Sequence, residues 1–288
     1  MYYLKKDSRW WIERIAMGWI VVAVAVNILY NMQNVNFWVD EAMLAYSIST
    51  RSLGELAATP LAWNQSAPLL YVYIVKVISL VAGNSEFSLR LCSLFSYCLL
   101  LFMYFFLSKY VLQHKYPVLE TALPASLPIL MGYSHEFKPY MTEACVVLGI
   151  LILYYVYASQ KIGWYTFSCI CSALILLGNP ACFVTGGILC CECLSGIKER
   201  NMDRIRRSVS GGAIVLAAFV LYYLYWLRPV IHDGYMVDFW KDYRFSFSNK
   251  AALVHSLSLI GDMLHAFGQY WAVIFLGGGR MYSACSPA

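Results

Sequence analysis

Seven apolar stretches dominate this sequence: residues 15–31, 89–108, 117–133, 140–159, 162–178, 180–194 and 209–227. Each is close to the roughly 20 residues that cross a hydrocarbon core, and none has an ionisable residue near its middle. Of the 288 residues, 60% are hydrophobic and 13% are charged. Soluble chains carry about 25% charged residues, so one soluble core could not hide this much apolar surface. Cytosolic globular, disordered and disulfide-stapled secreted classes are thereby excluded. The runs are continuous rather than alternating, which argues against a transmembrane barrel. The expected fold class is an all-α polytopic membrane protein with about seven transmembrane helices.

The net charge of +5 matters here through its distribution. Basic residues gather in residues 1–14 (Lys5, Lys6, Arg9, Arg14), at Lys109 and Lys115, at Lys161, and in residues 198–207 (Lys198, Arg200, Arg204, Arg206, Arg207). The positive-inside rule puts all four segments in the cytoplasm. The first apolar run has no small-residue cleavage site and reads as a retained span. Alternation across seven spans then works only if residues 68–82 do not cross. That segment is short and carries Lys76 in its middle, and a charge at the bilayer centre costs about 2.5–3.5 kcal/mol or more. We expect it to lie in the outer interface.

The expected organisation is a seven-span module over residues 1–230 and an outer-face segment over 231–288. The module's outer loop, 32–88, should hold juxtamembrane helices at about 41–58 and 67–82. In the last segment Leu253, Leu257, Ile260, Leu264 and Phe267 recur at helical spacing, with Ser258, Asp262, His265 and Gln269 on the opposite face. This pattern predicts an amphipathic helix. The ending, 277–288, does not read as a span and suggests a truncated or frame-shifted terminus.

Nine of the ten cysteines lie inside apolar runs, where cysteine behaves as a small hydrophobe. Cys190, Cys191 and Cys193 cluster, but no second Cys/His group stands at zinc spacing. No metal site is expected, and a divalent cation is not indicated. Asn64-Gln65-Ser66 fits a glycosylation sequon, which carries meaning only in a eukaryotic secretory host.

With no charge at mid-membrane, the polar chemistry collects at the predicted outer ends. A transporter or flippase would instead place charged or broken-helix sites near the midplane. Asp40 and Glu41 are adjacent carboxylates just outside the first span. A purely structural reading makes Asp40 an N-cap and Glu41 a first-turn residue favoured by the helix dipole. A carboxylate held at a helix start is also well placed for catalysis. The second cluster, Tyr133-Ser134-His135-Glu136-Phe137-Lys138-Pro139-Tyr140, is denser in functional groups than a turn between spans requires.

These residues resemble the C-type glycosyltransferase superfamily, polytopic enzymes that use polyprenyl-phosphate sugars. The nearest branch resembles bacterial protein O-mannosyltransferases and the aminoarabinose transferase of lipid A. Four elements in the family's order carry the resemblance: Asp40-Glu41, Ala67-Pro68-Leu69-Leu70-Tyr71, Gly83-Asn84-Ser85-Glu86 with Arg90, and Glu136-Phe137-Lys138-Pro139-Tyr140. It covers roughly residues 10–230. Many relatives have His-Pro-Pro-Leu or Lys-Pro where this chain has Ala67-Pro68, and an Arg where it has Lys138. Relatives also usually continue with further spans.

The resemblance implies an inverting transfer of a sugar from a polyprenyl-phosphate carrier to a lipid, glycan or protein acceptor. The location would be the outer face of a bacterial cytoplasmic membrane. Asp40 would be the base, with Glu41 positioning it and Glu136 as a second candidate carboxylate. Lys138 and Arg90 would hold the donor phosphate, and His135 and Tyr140 are further candidates. The alternatives are an inactive remnant of such an enzyme or a polytopic transporter. Nucleic acid is not an expected partner.

Overall fold

The computed structural model describes residues 2–231, 238, 245 and 248–276. The described residues form helices and connecting turns, with no strand among them. The chain divides into two compact units, Met1–Val230 and Ile231–Ala288.

In the first unit, five helices are long and apolar enough to cross a membrane: Ser8–Asn31 within α1 (Tyr2–Asn31), Glu86–Val111 (α5), Tyr140–Ala158 (α8), Ala181–Lys198 (α10) and Met202–Ile231 (α11). Between them lie α2 (Val39–Thr50), α3 (Leu53–Ala58), α4 (Leu69–Ala82), α6 (Pro117–Ala125), α7 (Pro128–Ser134) and α9 (Trp164–Ile175). The expectation of seven unbroken spans needs correction at two places. Residues 117–133 are not one helix. Pro124 lacks the N–H that would continue the ladder. Pro128 holds Leu127 in an extended conformation, φ −72° and ψ 117°, as the residue before a proline prefers. Residues 162–178 hold only the 12-residue α9, about 18 Å of helix against a core of about 30 Å.

The helix expected over 41–58 is also two helices. Ser52 starts α3 with a capping box. Its hydroxyl accepts the Glu55 N–H at 3.3 Å, and the Glu55 carboxylate accepts the Ser52 N–H at 2.7 Å. That Ser-Leu-Gly-Glu signature is legible in the sequence. At the start of α2 the N-cap is Trp38, not Asp40.

One apolar core joins Ile48, Leu56, Tyr71, Val75, Leu89 and Phe137 of the outer-loop side to Phe167, Cys171, Ile175 and Trp226 of the later helices. A second gathers Ala23, Tyr97, Leu101, Ala125 and Met141 from α1, α5, α6 and α8. Helix α11 packs against both α9 and α10. At Gly211 it comes so close to α9 that a Cβ would collide with the Trp164 ring and the Ser168 hydroxyl. Lys76 of α4 is buried, and its ammonium donates to the Ile48 carbonyl at 2.7 Å. The charge is thus satisfied by the C-terminal turn of α2.

The second unit contains α12 (Lys250–Leu276), opened by Asn249, whose side-chain oxygen accepts the Ala252 N–H at 2.9 Å. Leu253, Val254, Leu257, Ile260 and Leu264 are exposed on it. The terminus expected to be truncated, 277–288, lies outside the described residues.

Candidate functional site

The segment 32–88 and the α7–α8 turn meet through Glu41. This carboxylate is fully buried. Arg90 of α5 grips it at both oxygens, Nε to Oε1 at 3.0 Å and Nη2 to Oε2 at 2.6 Å. The Trp38 N–H donates to Oε2 at 3.2 Å, and the Phe137 N–H donates to Oε1. Arg90 places its remaining arm on the Val35 carbonyl at 2.6 Å and lies over the Phe37 ring, 5.1 Å from its centroid. Each carboxylate oxygen has two donors, and every branch of the guanidinium has an acceptor. Such a bidentate, hydrogen-bonded pair is what makes a buried charge tolerable. Arg90, expected as a phosphate cation, instead sits in the floor beneath the surface with Glu41.

Asp40, the next residue, points the other way. Its side chain is 42% exposed, and Lys138 Nζ lies 3.6 Å from its Oδ2. Lys138 itself is nearly covered, its side chain 7% exposed. The ammonium donates to Gln65 Oε1 at 2.9 Å and faces the Trp38 ring, 5.8 Å from its centroid. Burial pushes the Lys138 pKa down, while Asp40 pulls it back up. The lysine amine is thus held between one neutral acceptor and one loosely placed carboxylate.

Glu136 is half-buried between these layers. Burial raises its pKa, and the negative charge of Glu41 adds to the effect against Lys138 and Arg90. Its backbone carbonyl accepts the Ser93 hydroxyl at 2.6 Å, which ties the turn to α5. His135 leans on the Tyr30 ring, centroids 4.3 Å apart, and its Nε2 is buried without a hydrogen-bond partner. Burial, then the Arg90 charge, lowers its pKa to about 4. Tyr140 is exposed at the start of α8, its ring 4.9 Å from that of Tyr133.

The structure therefore brings Asp40, Glu41, Arg90, Glu136 and Lys138 into one locus. It separates them into a half-exposed Asp40 beside the covered Lys138 ammonium and a sealed pair, Glu41–Arg90. Gln65 and Trp38 belong to the site and were not singled out from the sequence. Gln65 stands 73 residues from its lysine, and no local pattern marks such a contact. Among the described residues, no group of three His, Cys, Asp or Glu side chains could hold a metal ion. No family model, curated protein or solved structure matches the chain.

The His135 environment has a measurable consequence. Its folded pKa of about 4 lies below the ordinary value of about 6.5. Between these values the unfolded chain binds more protons than the folded one. Folding stability contributed here is complete above pH 6.5 and falls as pH drops toward 4. The thermal midpoint of the detergent-solubilised protein should decline over that window. The decline should be shallower for His135→Phe, which keeps the contact with Tyr30 and removes the titration. An unchanged slope in that variant would place the acid sensitivity elsewhere.

Proposed function

We propose that this chain is an integral-membrane inverting glycosyltransferase. It moves a sugar from a polyprenyl-phosphate carrier to an acceptor hydroxyl at the outer face of the membrane. The observation that supports this reading best is the exposed Asp40 carboxylate beside the shielded Lys138 ammonium, mounted on the buried Glu41–Arg90 pair. In this reading α6–α7 cross as a broken pair and α9 as a short, tilted helix, giving seven crossings with residues 1–14 in the cytoplasm. The membrane is a bacterial cytoplasmic membrane.

The chemistry needs little else. Phosphate is a good leaving group, so the demands are a base for the acceptor and a cation for the phosphate. Lys138 exchanges its loose contact with Asp40 for a phosphate oxygen of the donor. The freed Asp40 carboxylate takes the proton of the acceptor hydroxyl as that oxygen attacks the anomeric carbon. The bond from that carbon to the phosphate oxygen breaks, the polyprenyl phosphate leaves with the electron pair, and the anomeric configuration inverts. Glu41 and Arg90 hold Asp40 and Lys138 in register and touch no reactant. Glu136, half-buried and with its pKa raised by that burial, is the second candidate carboxylate.

The test is transfer of a radiolabelled sugar from a panel of undecaprenyl-phosphate sugars to extracted envelope acceptors, using the protein in liposomes. Transfer is expected with at least one donor. Donor binding that depends on Lys138 but gives no transfer would make the chain an inactive remnant. Neither binding nor transfer with any donor would overturn the reading.

A further inference from the structure

A cavity of about 80 Å³ lies between the outer loop and the far end of α11, lined by Thr59, Pro60, Gln65, Ser66, Tyr225 and Trp226 among others. Gln65 is the residue whose amide oxygen holds Lys138 at 2.9 Å, and its amide nitrogen reaches Met43 Sδ at 3.4 Å. The cavity and the Asp40–Lys138 pair therefore share one side chain as a wall. No charged side chain is among the described residues that line it.

The loop that shapes this cavity is held under strain. Trp63, at φ 52° and ψ 31°, and Asn64, at φ 54°, both adopt the left-handed conformation. For a bulky tryptophan that is an outlier, and backbone strain of this kind clusters at ligand clamps. Surrounding contacts enforce it. Ser47 Oγ accepts the Ala62 N–H at 3.0 Å, Arg51 donates to the Pro60 carbonyl at 2.6 Å, and Trp226 Nε1 donates to the Ala67 carbonyl at 2.8 Å. The last bond also fixes the Trp226 ring as a wall.

From these observations we infer that the cavity is the acceptor subsite, and that it takes one edge of a neutral, hydroxyl-bearing sugar. The inference rests on the glycosyl-transfer reading. The lining combines flat rings and a proline with amide and hydroxyl groups, which suits the apolar C–H face and polar rim of a pyranose. Without a charged wall it offers nothing to a phosphate. On the same measure one water needs about 10–15 Å³, so the space admits several polar groups along one edge of a sugar. Gln65 is the side chain through which this edge meets Lys138 and, across it, Asp40.

Protection from labelling tests this. Ser66→Cys, in the full chain with its native cysteines replaced, is treated with a charged maleimide in the presence of methyl hexosides, glycerol or inorganic phosphate. At least one methyl hexoside should slow labelling several-fold and saturably, with no effect of glycerol or phosphate. Lys138→Ala should leave this protection intact, and Ala58→Phe, which fills the cavity, should abolish it without lowering the thermal midpoint. Protection by phosphate would overturn the inference in favour of an anion site, and protection by glycerol alone in favour of a lipid headgroup. No protection by any hexoside, in a protein that transfers sugar, would overturn the cavity assignment and leave the enzymatic reading standing. Protection in a protein that transfers nothing from any donor would sink the enzymatic reading, and with it the acceptor role.

Discussion

Arg90→Met should destabilise the protein by about 3–5 kcal/mol, the usual cost of stranding one partner of a buried ion pair. The reason is specific to Glu41. Its carboxylate is fully covered and loses two of its four donors when the guanidinium goes. The Trp38 and Phe137 N–H groups remain bound to a charge that no cation balances. Arg90→Lys should recover only part of the loss, because an ammonium cannot form the two parallel bonds of a guanidinium. Glu41→Gln combined with Arg90→Met should recover most of it. The amide oxygen still accepts a backbone N–H, and no charge is left buried. Thermal unfolding in detergent micelles reads all three. An Arg90→Met midpoint equal to the parent's would remove this pair from its place as the anchor of the site. Because Glu41 ties α2 to the α7–α8 turn, the single variant should also expose Lys138 and weaken whatever anion it binds.

The second large effect separates chemistry from architecture. Asp40→Asn should reduce sugar transfer by about 10²–10⁴-fold, the typical worth of a general base, while leaving the fold almost untouched. The structure makes this a clean experiment. Asp40 is not the cap of α2, its side chain is 42% exposed, and among the described residues its ion pair is the 3.6 Å contact to Lys138. The contact is long, Asp40 is partly solvated, and Lys138 keeps its bond to Gln65 Oε1 when the carboxylate charge is removed. Lys138→Ala should behave differently. Losing a charge-assisted contact to the donor phosphate costs roughly 1.5–3 kcal/mol, which is about a 10- to 150-fold weaker Kd at 1.4 kcal/mol per decade. Donor affinity measured apart from turnover tells the two variants apart. Undiminished transfer by Asp40→Asn would reduce that residue to a partner of Lys138. The base would then be sought at Glu136, the half-buried carboxylate of the α7–α8 turn.

How much of this was legible in the linear chain differs from one element to the next. Apolar runs dictate helices wherever the backbone must satisfy its own hydrogen bonds, and five of the seven runs do form crossing-length helices. Pro124 and Pro128 mark the break after α6, and Ser52 with Glu55 the restart at α3, by local effects that the expectation of one span over 117–133 and one helix over 41–58 passed over. The polar residues of the outer loop and the α7–α8 turn could be named as candidates from their density alone.

Their division of labour could not. Asp40 and Glu41 are chemically similar neighbours, and a helix turns by about 100° between them. Which one faced the interior depended on where α5 presented Arg90, 49 residues away, and where the turn presented the Phe137 amide, 96 residues away. Likewise the partner of Lys138 was settled by the path of a loop that passes through two left-handed residues to reach Gln65. Sequence patterns report periodicity and local hydrogen bonding. They determined that this chain is helical, suited to a membrane and polar at its predicted outer ends. Burial and pairing of charge depend on the register between helices distant in sequence, so only the tertiary structure decided that Glu41 and Arg90 close the floor of the site while Asp40 stays half-exposed beside a covered Lys138.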